Sequence, residues 1–171
     1  DGFTSKLEGV SGALTWNTFL GGSGYDYGYG ITVEGMGNVY LTGGSDAAWG
    51  TPLQGFGGGA DGFAAKLAPS GALAWNTFQG GSGADKGYGI AIFGEDENIY
   101  VSGYSDADWG NPLRAYTGGQ DAFAAKVDAT LPLVSSIICA SPNPTKPANV
   151  NYTVAFSVPV TNVNTDDFSL T

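Results

Sequence analysis

The sequence predicts an all-β protein made of repeated four-stranded antiparallel sheets. Three observations lead there: an internal repeat with a 60-residue period, short alternating segments within each repeat, and a composition suited to turns and strands. Of 171 residues, 29 are Gly, and 4 Trp, 9 Tyr and 9 Phe stand beside only 13% Asp, Glu, Lys and Arg. Glycine supplies the positive φ of tight turns and aromatics suit a half-buried pleated face, so helix is expected to be minor.

The repeat is direct. DGFTSKL opens at Asp1, DGFAAKL at Asp61 and DAFAAKV at Asp121. SGALTWNTFLGGSGYDYGYGI from Ser11 returns as SGALAWNTFQGGSGADKGYGI from Ser70, and NVYLTGGSDAAWGTPL from Asn38 returns as NIYVSGYSDADWGNPL from Asn98. Length changes after Leu7 or Leu67 and after Val33 or Ile92 cancel, as expected where loops vary and strands keep register.

Within one period the pattern predicts strands at 29–33, 38–42, 62–67 and 72–78, recurring at 88–92, 98–102 and 122–127. EGMGN and GEDEN read as the hairpin turns after the first strand. Four short antiparallel strands per period are the pattern of propeller-type blades, whose sheets stack because none buries both faces alone. The first strand, GYGIAI, reads as the innermost, its glycines suiting a crowded axis.

The run GGSGADKGYGIAIFGEDENIYVSGYSDADWG, followed by DAFAAKV, resembles the SBBP repeat family of bacterial β-propellers. The resemblance covers residues 1–130: a partial blade, then units of about 28–79 and 87–137, so about two and a half blades. It implies a bacterial protein, extracellular or on the cell surface, and a family with no general enzymatic activity.

After Leu131 the periodicity stops and Pro rises. Residues 131–171 resemble the N-terminal part of a bacterial immunoglobulin-like β-sandwich, with Tyr152, Val154 and Phe156 alternating against polar or small neighbours. A complete sandwich needs about 100 residues, so an incomplete β-sandwich segment is expected. Two and a half blades likewise fall short of the roughly four that close a ring. The open edges are therefore expected to be covered by further chain or by strand addition from neighbouring copies.

Composition removes most chemistry. Acidic residues outnumber basic ones 16 to 6, giving a net charge of −10, and the cations form no patch, which argues against nucleic acid and anionic membranes. With no His and a single Cys, Cys139, the chain lacks the parts of a Ser-His-Asp triad, a His base or a Cys/His zinc site. Cys139, in SSIICASP, reads as a buried, inert thiol. No apolar run approaches 18 residues, so no membrane insertion is expected.

The remaining candidates each carry a plain structural reading. GGSGYDYGY and GGSGADKGY match the first six positions of the calcium-binding nonapeptide, which makes Asp26 and Asp85 the metal candidates and calcium the candidate ion. Gly28 and Gly87 at the eighth position exclude a calcium roll, and a Gly-rich turn is the favoured reading. Asp46, Asp106 and Asp108 recur like turn residues rather than as a once-built acid–base pair. Glu95, Asp96 and Glu97 read as a solvated hairpin tip. Trp16, Trp49, Trp75 and Trp109 read as packing between blades, with sugar stacking as the alternative. Asn151-Tyr152-Thr153 forms a glycosylation sequon of little weight.

The expectation is a non-enzymatic structural or adhesive repeat protein without catalytic residues or a cofactor. It would self-associate, with filaments as one outcome, or bind other surface proteins. The alternative is a carbohydrate-binding, lectin-like module.

Overall fold

A computed structural model describes residues 1–94 and 98–128, with two further strands at 134–139 and 152–156. Two compact units divide the chain, Asp1–Asp128 and Ala129–Thr171. Among the described residues there is no helix, and every strand pairs antiparallel with its sheet neighbours.

The first unit holds three sheets. β1 (Gly2–Leu7) and β2 (Leu14–Leu20) form a hairpin; β3 (Asp26–Val33), β4 (Val39–Ser45), β5 (Asp61–Leu67) and β6 (Leu73–Gln79) form a four-stranded meander. The third sheet is β7 (Asp85–Phe93), β8 (Asn98–Ser105) and β9 (Asp121–Val127), again a meander. Every predicted strand of this unit is present. β3 and β7 start three residues before the predicted positions, because the aspartate read as part of the Gly-rich turn is also the first residue of the ladder, opposite Ser45 or Ser105.

The same sequence takes different burial according to its neighbours. β5, DGFAAKL, is buried along nearly its whole length, whereas β9, DAFAAKV, alternates half-buried and exposed residues. β5 lies between β4 and β6, whereas β9 pairs only with β8 among the described residues. The core of the second sheet gathers Val39, Leu41, Phe63, Leu67 and Phe78 with Leu20 of β2 and Trp49 of the loop after β4; Trp16 and Phe56 pack on its rim. At about 25 cal/mol per Å² of apolar surface, such clusters supply the main stabilising term.

The other face of the second sheet meets β7 at very short range. A Cβ on Gly87 would lie 2.1 Å from the Thr42 hydroxyl oxygen, and one on Gly62 would lie 3.1 Å from the Gly87 amide nitrogen. The preceding junction repeats this contact, with Gly2 set against the Gly28 amide. Glycine is thus required where backbones of successive sheets cross.

In the second unit β10 (Val134–Cys139) pairs with β11 (Tyr152–Phe156), Cys139 opposite Tyr152 and Ile137 opposite Val154. β11 takes in most of the alternating segment read from the sequence. The rest of the predicted sandwich segment, and Asn151 of the sequon, lie outside the described residues.

Gly87→Ala is expected to lower stability by roughly 1–3 kcal/mol, an overpacking cost. Gly28→Ala, at the equivalent position but with open space around its Cβ, is expected to change stability by less than about 1 kcal/mol. Urea unfolding of the two variants checks this difference.

Candidate functional site

The repeated aspartates brace loops. The Asp26 carboxylate accepts from the Gly22 amide (3.0 Å) and from the Ser45 hydroxyl (2.5 Å). Asp85 accepts from the Gly81 amide at the same distance of 3.0 Å. Asp46 accepts from the Tyr25 amide (2.5 Å), and Asp106 accepts from the Ala84 amide. Each GGSG turn is thus held at both ends by carboxylates, an arrangement that satisfies loop donors otherwise left without partners. Asp108 is exposed, and residues 95–97 lie outside the described residues.

Asp26 and Asp85, the calcium candidates, are both buried, and they occupy equivalent places in separate repeats. Asp85 instead neighbours Asp61. A Cβ on Gly80 would fall 2.5 Å from an Asp85 oxygen and 2.8 Å from Asp61 Oδ1. Both aspartates are fully buried, and Oδ1 of each has no hydrogen-bond partner. Burial pushes the Asp61 carboxyl up to about 6, against the Gly57 amide that donates to it and with the charge of Asp85 adding to the rise. Burial also raises Asp85, partly offset by the nearby Ser105 hydroxyl and the Gly81 amide. Asp121 occupies the Asp61 position of the third sheet and shifts the other way, because the Thr117 amide and hydroxyl donate to it in the open.

That contrast goes with the neighbours each strand has among the described residues: β5 lies between β4 and β6, and β9 beside β8. In the second sheet, the loop 49–56 runs along β6: Leu53 donates to the Asn76 carbonyl (2.9 Å), Phe78 to the Gln54 carbonyl (3.1 Å), and the Asn76 side-chain amide to the Trp49 carbonyl (2.9 Å). The Phe78 ring sits edge-on to Trp49 and Phe56, at 5.9 and 5.4 Å. In the third sheet the corresponding loop follows the same path. Gly110, Gly118 and Gly119 have φ of 63°, 108° and 75°, against 67°, 114° and 68° at Gly50, Gly58 and Gly59. Trp109 meets Phe123 at 5.2 Å, as Trp49 meets Phe63 at 5.2 Å.

Among the described residues the third sheet has no strand between. A Cβ on Gly50 would strike the Asn76 side chain at 2.5 Å, whereas one on Gly110 would meet nothing within 4 Å. The result is a cleft of about 520 Å³ between β9 and the loop, lined by Trp109, Leu113, Tyr116 and Phe123 among others. The Tyr116 hydroxyl lies between the carbonyls of Asp106 (2.7 Å) and Gly119 (2.8 Å), which ties the loop down with the cleft open.

No protein-family model matches this chain, and no curated protein matches it.

The tryptophans pack. Trp49 and Trp75 are buried, Trp109 stands against Phe123, and the Trp16 ring lies on Gly71 while its Nε1 donates to the Pro69 carbonyl (3.0 Å). The exposed aromatic row is made of tyrosines instead, which the sequence reading passed over. Tyr27 stacks on Tyr29 at 6.0 Å, Tyr29 meets Tyr88 at 5.1 Å, and Tyr88 meets Tyr104 at 5.8 Å. Tyr29 and Tyr88 are the extra residues of two equivalent β-bulges, a device that re-aims a side chain. The Lys86 ammonium lies over the Tyr27 and Tyr29 rings. Burial works against its charge, yet the phenols of Tyr104, Tyr29 and Tyr88 hold its pKa above the ordinary lysine value. Tyrosines two apart in YDYGYG were the available signal, since alternate strand residues share a face.

The aspartate shifts set a pH dependence. Because the folded pKa of Asp61 lies above its unfolded value, its protonated form favours folding; its contribution to stability is full below the ordinary carboxylate value of 3.8 and is lost as pH rises through about 6. The loss is of order 1–3 kcal/mol at about 1.4 kcal/mol per pKa unit. Asp121 acts in the opposite sense, below the ordinary carboxylate range. Thermal melts of the chain and of Asp61→Asn across pH 4–8 are expected to show this fall, and to show it flattened in the variant.

Proposed function

We propose that this chain is a non-enzymatic structural or adhesive repeat module of SBBP propeller type, working outside a bacterial cell, whose open sheet is completed by a neighbouring chain. The observation that carries this reading is the preformed strand position beside β9. An edge strand with no neighbour on its far side among the described residues, beside a cleft lined by both aromatic and polar side chains, is a template for strand addition. Polar clusters support the same reading, because the aspartate braces recur in each repeat and serve backbone amides. Among the described residues no helix is long and apolar enough to cross a membrane, and the module is read as acting through its sheets.

A second reading, glycan binding, is favoured by the tyrosine row. Half-exposed rings set side by side by two bulges offer stacking surfaces, and Lys86 beside them supplies a hydrogen-bond donor.

Light scattering of the purified chain over a wide concentration range is expected to show growth beyond the monomer mass. A strictly monomeric particle at the highest concentration would contradict assembly. For the second reading, a glycan array is expected to give signals that Tyr88→Ala abolishes; an array with no signal contradicts it.

A further inference from the structure

We propose that Asp61 and Asp85 together hold a calcium ion where the second and third sheets meet. This stands apart from the assembly and glycan readings above, and it takes one of the two aspartates singled out in the sequence while giving it a different companion.

The backbone brings the pair together. Asp61 opens β5 and Asp85 opens β7, and the residues just before them, Ala60 and Ala84, form a parallel bridge. Two hydrogen bonds fix it: the Ala60 amide donates to the Gly83 carbonyl (3.0 Å) and the Asp85 amide to the Ala60 carbonyl (2.6 Å). Both side chains are 0% exposed, and they lie close enough for the charge of Asp85 to act on Asp61. Gly80 marks the space between them. A Cβ there would stand 2.5 Å from Asp85 Oδ2 and 2.8 Å from Asp61 Oδ1, so a glycine keeps this cradle clear.

Each carboxylate has one braced oxygen and one orphaned oxygen. The Gly57 amide donates to Asp61 Oδ2 (2.6 Å) and the Gly81 amide to Asp85 Oδ2 (3.0 Å), but Oδ1 of each finds no donor. The equivalent aspartates differ. Asp26 has the Gly22 amide on Oδ2 and the Ser45 hydroxyl on Oδ1. At Asp85 the corresponding Ser105 hydroxyl lies near but donates to the Ala107 carbonyl (2.6 Å). Asp121 is only half-buried and accepts from the Thr117 amide and hydroxyl.

Two neighbouring buried carboxylates with orphaned oxygens call for a counter-charge, because unpaired burial and like-charge repulsion both disfavour their ionised forms. The nearest residue of the right sign in sequence, Lys86, lies over the Tyr27 and Tyr29 rings, while Asp106 adds a further negative charge beside Asp85. A divalent cation meets both needs, neutralising the pair and ligating the orphaned oxygens. The donor set selects calcium, which takes carboxylate and carbonyl oxygens in flexible geometry. Carbonyl oxygens are at hand: those of Gly81 and Gly80 lie 2.7 and 3.1 Å from where a Cβ would stand on Gly57, whose amide braces Asp61. Magnesium, which dehydrates reluctantly, suits so enclosed a site less well.

Calorimetric titration of calcium chloride into the full chain, stripped with a chelator and held at neutral pH, supplies the test. Saturable binding of a single ion is expected at or below about millimolar calcium, with a rise in melting temperature that follows the occupancy. Asp61→Asn and Asp85→Asn, shown to be folded by circular dichroism, are each expected to weaken binding at least about tenfold. Gly80→Ala, which keeps both carboxylates but fills the cradle, is expected to weaken it as well, and Asp121→Asn to leave it unchanged. No binding in the millimolar range overturns the inference and leaves the pair with a shared proton instead. Binding that all three site variants leave intact overturns it too, since the calcium then sits elsewhere on this acidic chain.

Discussion

The insertion of a fourth strand between its cross-strand neighbour and an overlying loop governs this molecule. Where β6 fills that place, Phe63, Phe78 and Trp49 close into one core and β5 is buried along nearly its whole length. Where no such strand stands among the described residues, β9 keeps a similar sequence pattern but alternates between partial burial and exposure. The electrostatics follow. Asp61 lies under the turn that continues from β6 and is pushed upward by burial, whereas Asp121, to which the Thr117 amide and hydroxyl donate, is held below the ordinary carboxylate range. Among the described residues, the presence of β6 beside β5 goes with the differences in packing, exposure and charge between two copies of one repeat.

The second constraint is the close stacking of the sheets. Glycines at equivalent positions let the backbone of one sheet approach the next, and aspartates at equivalent positions fasten the turns that lead from sheet to sheet. Both devices recur with the period, so each junction is built like the one before it. Sheet 3 differs on the face where a further sheet would stack: Tyr104 and Ala122 stand where the second sheet has Gly44 and Gly62. A Cβ on Gly44 would already touch the Lys86 side chain at 3.2 Å, so the larger residues alter how closely anything can approach there.

Most of the strand plan was legible in the sequence, because the repeat and the alternation both report the pleat. Strand starts were less legible, since Asp26 and Asp85 serve a turn and a ladder at once. The tryptophans pack, but Trp49, Trp75 and Trp109 stand against aromatics of their own sheets, and it is Trp16 that reaches the next repeat at Pro69. The tyrosine row escaped notice because the intervening glycines suggested crowding and drew attention from the residues between them. The cleft could not be read from any motif: DAFAAKV and SDADWGNPL look like their counterparts, and what sets them apart among the described residues is the strand that stands beside β5 and not beside β9. Absence of a strand becomes visible only where the equivalent strand is seen elsewhere in the fold.

Backbone hydrogen exchange tests the vacant strand position most directly. In dilute solution the amides of β9 that point away from β8 should exchange far faster than the equivalent amides of β5, which bond to β6. They should gain protection as the concentration rises. Equal and concentration-independent protection of β5 and β9 would contradict the account, because it would mean that the position beside β9 is already filled within the single chain.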